Sequence, residues 1–157
     1  MDKCSFWYGS VVRADINSIR FGFCTNVQDR SVITTQSELD NGYPADVVIG
    51  NYVTVGHGSI LTSCIIQDEV LIGAGSVVGA GSIVESKSIL APGSVVAPGT
   101  LIPSGQLWGG NPAVFVKNLD DGQKSSLEKT AEEYFSLAEQ HKEEFLPYGT
   151  LYQQAEK

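Results

Sequence analysis

Residues 66–102, IQDEVLIGAGSVVGAGSIVESKSILAPGSVVAPGTLI, carry one short pattern over and over. In steps of six, Ile66, Ile72, Val78, Val84, Leu90, Val96 and Ile102 are all aliphatic. The position four residues after each anchor reads Val70, Ser76, Ser82, Ser88, Ser94 and Thr100. The position directly after each anchor is usually small: Gln67, Gly73, Gly79, Glu85, Ala91, Ala97, Pro103. A helix would need apolar residues three and four apart. Six is even, so in extended chain every anchor points to the same side. The β-branched anchors suit a pleated surface, and glycines at fixed offsets allow sharp corners. A β-sandwich would place its turn signals every ~8–12 residues, which does not match a strict six.

The register also runs upstream, with interruptions. Phe6 and Val12 are six apart, Phe21, Val27 and Ile33 continue it, and Ile49, Val55 and Leu61 follow. A five-residue step joins Leu61 to Ile66. One such coil cannot bury its inner side alone. Stacking the next coil ~4.8 Å above buries that side and satisfies the backbone. The sequence therefore predicts an all-β chain, a parallel β-helix of hexapeptide repeats over residues 1–105. The polar stretch 35–48, TQSELDNGYPADVV, is expected to protrude as a loop. The period is expected to stop after Ile102, with 106–118 as a Gly/Pro-rich crossover. An α-helix is expected over 119–146 and a tail over 147–157. Leu127, Ala131, Tyr134, Ala138, His141 and Phe145 form one helical face. Ser125 and Glu128 are spaced as a capping box, and Pro147 and Gly149 end the pattern. His141, on that apolar face, reads as a packed or half-exposed helix residue rather than a ligand.

Composition narrows the function classes. Net charge is −8, made of −3 over residues 1–118 and −5 over 119–157. Nucleic-acid phosphates need clustered Lys and Arg, so nucleic acid is not an expected partner. Cys4, Cys24 and Cys64 form no C-x-x-C pair, which argues for a reducing compartment and against a Cys-rich zinc site. No apolar run approaches the ~20 residues that span a bilayer. No signal or transit segment is legible from Met1, so a chain working in an organelle is expected to have shed its presequence.

Fold alone would also fit the hexapeptide acyltransferases, although no clear candidate base for acyl transfer is present. Four segments narrow the reading: Trp7-Tyr8-Gly9 leading to Arg13-Ala14-Asp15, Thr25-Asn26-Val27-Gln28-Asp29, Val55-Gly56-His57-Gly58, and Leu107-Trp108-Gly109-Gly110-Asn111-Pro112-Ala113. As an ordered set over roughly residues 6–118 they resemble the γ-class carbonic anhydrases. The C-terminal stretch, with Phe145-Leu146-Pro147-Tyr148, further resembles the carbonic-anhydrase-like subunits of plant and algal mitochondrial complex I. The resemblance implies a left-handed β-helix assembled as a trimer. It also implies further coils before the first one seen here, so the open coil end is expected to be either a truncation or a surface that a neighbour covers.

The resemblance implies a zinc site to look for. Active members hold zinc with three histidines and leave one position open for water. The first ligand position falls on Thr34, the second on His57 and the third on Thr62. Threonine is a weak neutral donor, whereas zinc prefers imidazole, thiolate or carboxylate. The chain has two histidines in all, so no three-histidine site can be built within it. In family trimers the zinc lies between subunits, and the position matching His57 is the single ligand given across the interface. The expectation is that no zinc is held in this chain's own site, with zinc shared at most through His57 and a neighbour. Arg13, Asp15 and Asp29 match the family's charged trimer-interface residues, and Gln28 matches a residue that orients zinc-bound water. The implied function is a non-catalytic γ-carbonic anhydrase-like subunit of complex I. It would sit in a heterotrimer with γ-carbonic anhydrase paralogues against membrane-arm subunits, on the matrix side of the mitochondrial inner membrane. The alternative is a carbonic anhydrase active only through sites shared with neighbours.

Overall fold

The computed structural model describes residues 2–144. The chain winds as a three-faced prism of stacked coils. The first face holds β1 (Ser5–Phe6), β4 (Asn26–Val27), β7 (Thr54–Val55), β10 (Leu71–Ile72), β13 (Ile89–Leu90) and β16 (Gln106–Gly109), and β17 (Val114–Asn118) adds at its end. The second face holds β2 (Val11–Arg13), β5 (Val32–Thr34), β8 (Ile60–Thr62), β11 (Val77–Val78) and β14 (Val95–Val96). The third holds β3 (Ile19–Phe21), β6 (Val47–Ile49), β9 (Ile65–Ile66), β12 (Ile83–Val84) and β15 (Leu101–Ile102). Every pairing between coils is parallel.

The six-residue anchors are the core. Ile66, Ile72, Val78, Val84, Leu90, Val96 and Ile102 are all buried, as are Val27, Ile33, Ile49, Val55 and Leu61. Each coil repeats the row of the coil below, so Ile72 pairs in register with Val55 and Leu90. The small position four residues on has a physical cause. Ser76, Ser82 and Ser88 are fully buried, and their hydroxyls donate to the carbonyls of Ala91, Ala97 and Pro103 one coil further on. A larger side chain there would leave no room for that bond. At the first coil Phe6 and Val12 are 44% and 40% exposed, because a coil stacks on one side of them only.

Several boundaries differ from the sequence reading. The period does not stop at Ile102: Trp108, six residues on, pairs in register with Leu90 and packs against the core. The segment 106–118 does lead to the helix, but as two antiparallel strands, β16 and β17, rather than as irregular chain. The protruding loop closes at Asp46 rather than 48. Val47 and Ile49 are already inward core residues, and Asp46 accepts a hydrogen bond from the Ser18 amide that anchors the loop's return.

Helix α1 spans Asp121–Glu144 and packs on β1 and β4 of the first face, burying Leu127 and Ala131. Its capping box is Asp120 with Gln123, not Ser125 with Glu128. The Gln123 amide donates to Asp120 Oδ1 and the Asp120 amide donates to Gln123 Oε1. Ser125 is one turn inside the helix and its hydroxyl donates to the Gly122 carbonyl. Phe145, Pro147 and Gly149 lie outside the described residues.

Two glycines separate close approach from backbone freedom. A Cβ on Gly73 would collide with the backbone of Pro92 in the next coil, whereas one on Gly75 meets open space but sits at φ +67°. Gly73→Ala is expected to cost about 3 kcal/mol by forcing coils apart, and Gly75→Ala about 1–2 kcal/mol from the left-handed backbone alone. Urea unfolding should rank them in that order; equal losses would contradict the close-approach account.

Candidate functional site

The second face organises Arg13, Thr34, His57 and Thr62. Ile33 and Leu61 point inward and are fully buried. The strand alternation therefore turns their neighbours outward. Two outward rows result. Val11, Val32, Ile60, Val77 and Val95 are in register and make one continuous aliphatic row. Arg13, Thr34 and Thr62 are in register beside it. Thr34 and Thr62 are thus direct neighbours on adjacent coils, at the far edge of this face.

His57 lies at the opposite edge. It occupies the exposed turn between β7 and β8, and a shallow depression there is lined by Tyr8, Asp29, Arg30, His57 and Gly58. Backbone bonds stack this corner: the Gly58 amide donates to the Asp29 carbonyl, and the Gly75 amide donates to the His57 carbonyl. His57 and the threonine pair therefore stand at the two ends of one face, separated by its strand width. Among the described residues no three His, Cys, Asp or Glu side chains converge to hold a metal ion. The donor set on this face does not fit zinc, because it offers one imidazole, His57, and at the opposite edge only the hydroxyls of Thr34 and Thr62.

The charged trio divides between the same two edges instead of forming one cluster. Arg13 and Asp15 pair at 2.8 Å, both well exposed, at the threonine edge. The Arg13 guanidinium bonded to Asp15 holds its carboxyl below the usual range. Asp29 is at the His57 edge, where its Oδ1 accepts the Tyr8 amide at 3.0 Å. An exposed pair of this kind contributes little to the chain by itself. Gln28 is half-buried and its Nε2 reaches the Asn26 side-chain oxygen at 3.5 Å, at the long limit of a hydrogen bond. Asn26 in turn donates to Thr54 Oγ1 at 3.0 Å, and both are buried on the first face.

Sequence reasoning did not pick out Tyr8 and Arg30 as site residues. Tyr8 joins two regions: it lines the His57 corner, and its hydroxyl is 3.2 Å from His141 Nδ1 on α1. His141 is half-buried with the Trp7 ring 5.2 Å away, so it belongs to the helix–coil seam. Tyr8 stood in the Trp7-Tyr8-Gly9 segment without a role of its own, and Arg30 adjoins Asp29.

Comparison with known proteins fits this geometry. The chain is 52% identical over 156 residues to "Gamma carbonic anhydrase-like 2, mitochondrial" of Arabidopsis thaliana, covering 99% of this chain and 61% of that relative. It is 44% identical over 138 residues to the Methanocaldococcus jannaschii protein named "Probable carbonic anhydrase", covering 88% of this chain and 83% of that one. The chain belongs to the γ-carbonic anhydrase family. It spans about three-fifths of the length of the Arabidopsis relative. No protein-family model matches. A solved structure of a hexapeptide transferase family protein from Anaplasma phagocytophilum superposes with a TM-score of 0.80 at 37% identity, over 87% of this chain and 77% of that one.

The cysteines offer no alternative metal or nucleophile site. Burial pushes the Cys64 thiol up to about 12 and raises Cys24 as well. A thiol reagent at pH 8 should modify only half-buried Cys4 in the folded protein and all three cysteines in urea. In the unfolded chain Cys64 titrates near 9.0. Below that pH its burial carries no penalty. Above it the unfolded state loses its proton first, so stability should fall progressively as pH rises from about 9 to about 12. Rapid labelling of Cys64 in the folded protein, or stability flat through that window, would contradict the burial.

Proposed function

We propose that this chain is a structural, non-catalytic γ-carbonic anhydrase-like subunit that works in a heterotrimer with γ-class paralogues. One observation carries the proposal: Thr34 and Thr62 are register-paired at one edge of the second face, and His57 stands at the other. A face that splits its ligand positions this way has the form of a contact surface whose sites are completed by neighbours. The aliphatic row between the edges supplies apolar surface for such a contact. Head-to-tail packing would bring Arg13 of one chain to the Asp29 edge of the next, where the pair would be desolvated. The names of the Arabidopsis relatives support a mitochondrial location. The resemblance to complex I subunits supports a place on the matrix side of the inner membrane, against the membrane arm. No helix among the described residues is long and apolar enough to cross a membrane.

A second reading rests on His57. Exposed at its edge, it is placed to give one imidazole to a neighbour whose own edge holds two histidines. When bound there, zinc would lower the pKa of its water towards 7. This chain's contribution would be the His57 nitrogen, with Asp29 and Tyr8 fixing the corner it stands on. At its own threonine edge the hydroxyls cannot replace imidazole, and that interface stays metal-free.

The arrangement can be counted. With two intact γ-class chains, each interface takes a two-ligand edge from one chain and a one-ligand edge from the next. The interface using Thr34 and Thr62 is empty, and the other two are complete. Metal analysis of the purified heterotrimer should give two zinc ions, falling to one in His57→Ala and rising to three when Thr34→His and Thr62→His are combined. An unchanged count in His57→Ala would end the sharing model. The isolated chain should hold no stoichiometric zinc and show no hydratase activity; one tightly held zinc per isolated chain would overturn the structural-subunit reading. Arg13→Ala should weaken assembly by about 3–5 kcal/mol if the pair is buried between chains, measured by sedimentation. A monodisperse folded monomer of the unaltered chain would contradict the assembly.

A further inference from the structure

The three long faces of the prism end in different states. The first is covered by α1. The second is the one that the proposal above gives to neighbouring chains. The third carries an outward row in register, Val48, Ile65, Ile83 and Leu101. Val48, Ile65 and Leu101 are 36%, 41% and 50% exposed. The loop over residues 35–46 rises beside this row and sets Leu39, Tyr43 and Pro44 across from Val48, Ile65 and Ile83, enclosing a groove of about 360 Å³. Grooves of a few hundred Å³ are large enough to seat several apolar groups.

Two observations define the occupant. First, the Asp46, Asn41, Ser63 and Ser82 side chains in the lining are bonded within the chain. Asp46 Oδ1 accepts the Ser18 amide, Asn41 Oδ1 accepts the Tyr43 amide, and the Ser63 and Ser82 hydroxyls donate to the Ala45 and Ala97 carbonyls. The groove therefore recognises by apolar burial and not by a set of convergent polar groups. Second, its surroundings are acidic. The loop that forms its wall, residues 35–46, carries Glu38, Asp40 and Asp46 and no base. Arg20 stands at the first-coil end of the row. A negative field of this kind repels anionic lipid headgroups and fatty-acid carboxylates and attracts Lys and Arg. The molecule also shows how such a face is covered, since α1 lies on the first face with buried residues four apart, Leu127 and Ala131.

We propose that the third-face groove seats an amphipathic helix of a partner protein. Large apolar side chains three and four residues apart would enter between Leu39 and Tyr43 on one wall and Ile65 and Ile83 on the other. Lys and Arg on the flanks of that helix would face the acidic loop. The second-face proposal enters only in leaving the third face free for this partner. The test below reads the third face of the single chain, so its failure leaves the zinc counts untouched, and the reverse also holds.

The probe is a synthetic amphipathic peptide of about 18 residues, long enough to be helical, with Leu on one face and Lys elsewhere. Its control carries Glu in place of Lys. Fluorescence anisotropy with the full chain at about 0.15 M salt should give micromolar binding of the Lys peptide. Binding should be at least about tenfold weaker for the Glu peptide and for the chain carrying Ile65→Lys, an exposed position. Should that variant melt early by circular dichroism, Tyr43→Lys at a 69% exposed position replaces it. Hydrogen exchange should show protection confined to residues 38–49, 65–66 and 83–84. Equal binding of both peptides, indifference to both substitutions, or protection elsewhere would overturn the proposal. So would groove-dependent binding to phosphatidylserine vesicles, which would make the occupant a membrane. Self-association lost in Ile65→Lys would make it a second copy and equally refute the helix.

Discussion

Every feature of this molecule depends on the hydrogen bonding of one coil to the next. Parallel strands of two or three residues are too short to be stable alone. They persist because each amide donates to a carbonyl one coil away, as Gly73 does to Leu90 and Gly79 to Val96. That stacking forces every coil to repeat the geometry of the last. The inward anchors must then be aliphatic and similar in volume, since each packs on its own counterpart above and below. The corners must be small, and the buried serines at three successive corners spend their hydroxyls on the neighbouring coil. Outward positions carry no such demand.

This difference explains why positions 34 and 62 can hold threonine at no cost to the fold. Thr34 and Thr62 point away from the core, beside Ile33 and Leu61, which are fully buried. Threonine is β-branched and suits a strand, so the coil accepts it there. Both threonines sit on the surface row that carries Arg13. The same logic isolates His57: its turn is held by backbone bonds from Gly58 to Asp29 and from Gly75 to His57, which any side chain could make. Nothing in the stability of the coil calls for a histidine there, and His57 stands exposed beside Asp29 and Arg30.

The fold was legible because a period of six in extended chain fixes which residues are inside, and Ile66 through Ile102 obeyed it without a gap. What was missed has physical causes. Trp108 keeps the period, but its size and the Gly109-Gly110 pair beside it read as an ending. The strands at 106–118 depend on β13 as a template, which local sequence does not announce. Asp120 with Gln123 formed the capping box because the Leu119 amide bonds the Gly105 carbonyl and ends the strand there, so the helix starts earlier than Ser125 suggested. For the site, the residue identities at positions 34, 57 and 62 could be read, but their placement could not. Six-residue spacing gives the row and not the edge, so the sequence did not tell that Arg13 and Asp15 stand at one edge and Asp29 at the other. Tyr8 and Arg30 join the His57 corner only because three coils stack their turns there.

The central claim is that one face of this chain is metal-competent at its His57 edge and metal-free at its threonine edge. An anomalous difference map collected at the zinc absorption edge from crystals of the assembled heterotrimer tests it directly. The account predicts a peak with nitrogen ligands at roughly 2.0–2.1 Å, one of them from His57, and no peak within reach of Thr34 and Thr62. Density beside the threonine pair, or none beside His57 where another interface of the same trimer shows zinc, would contradict it.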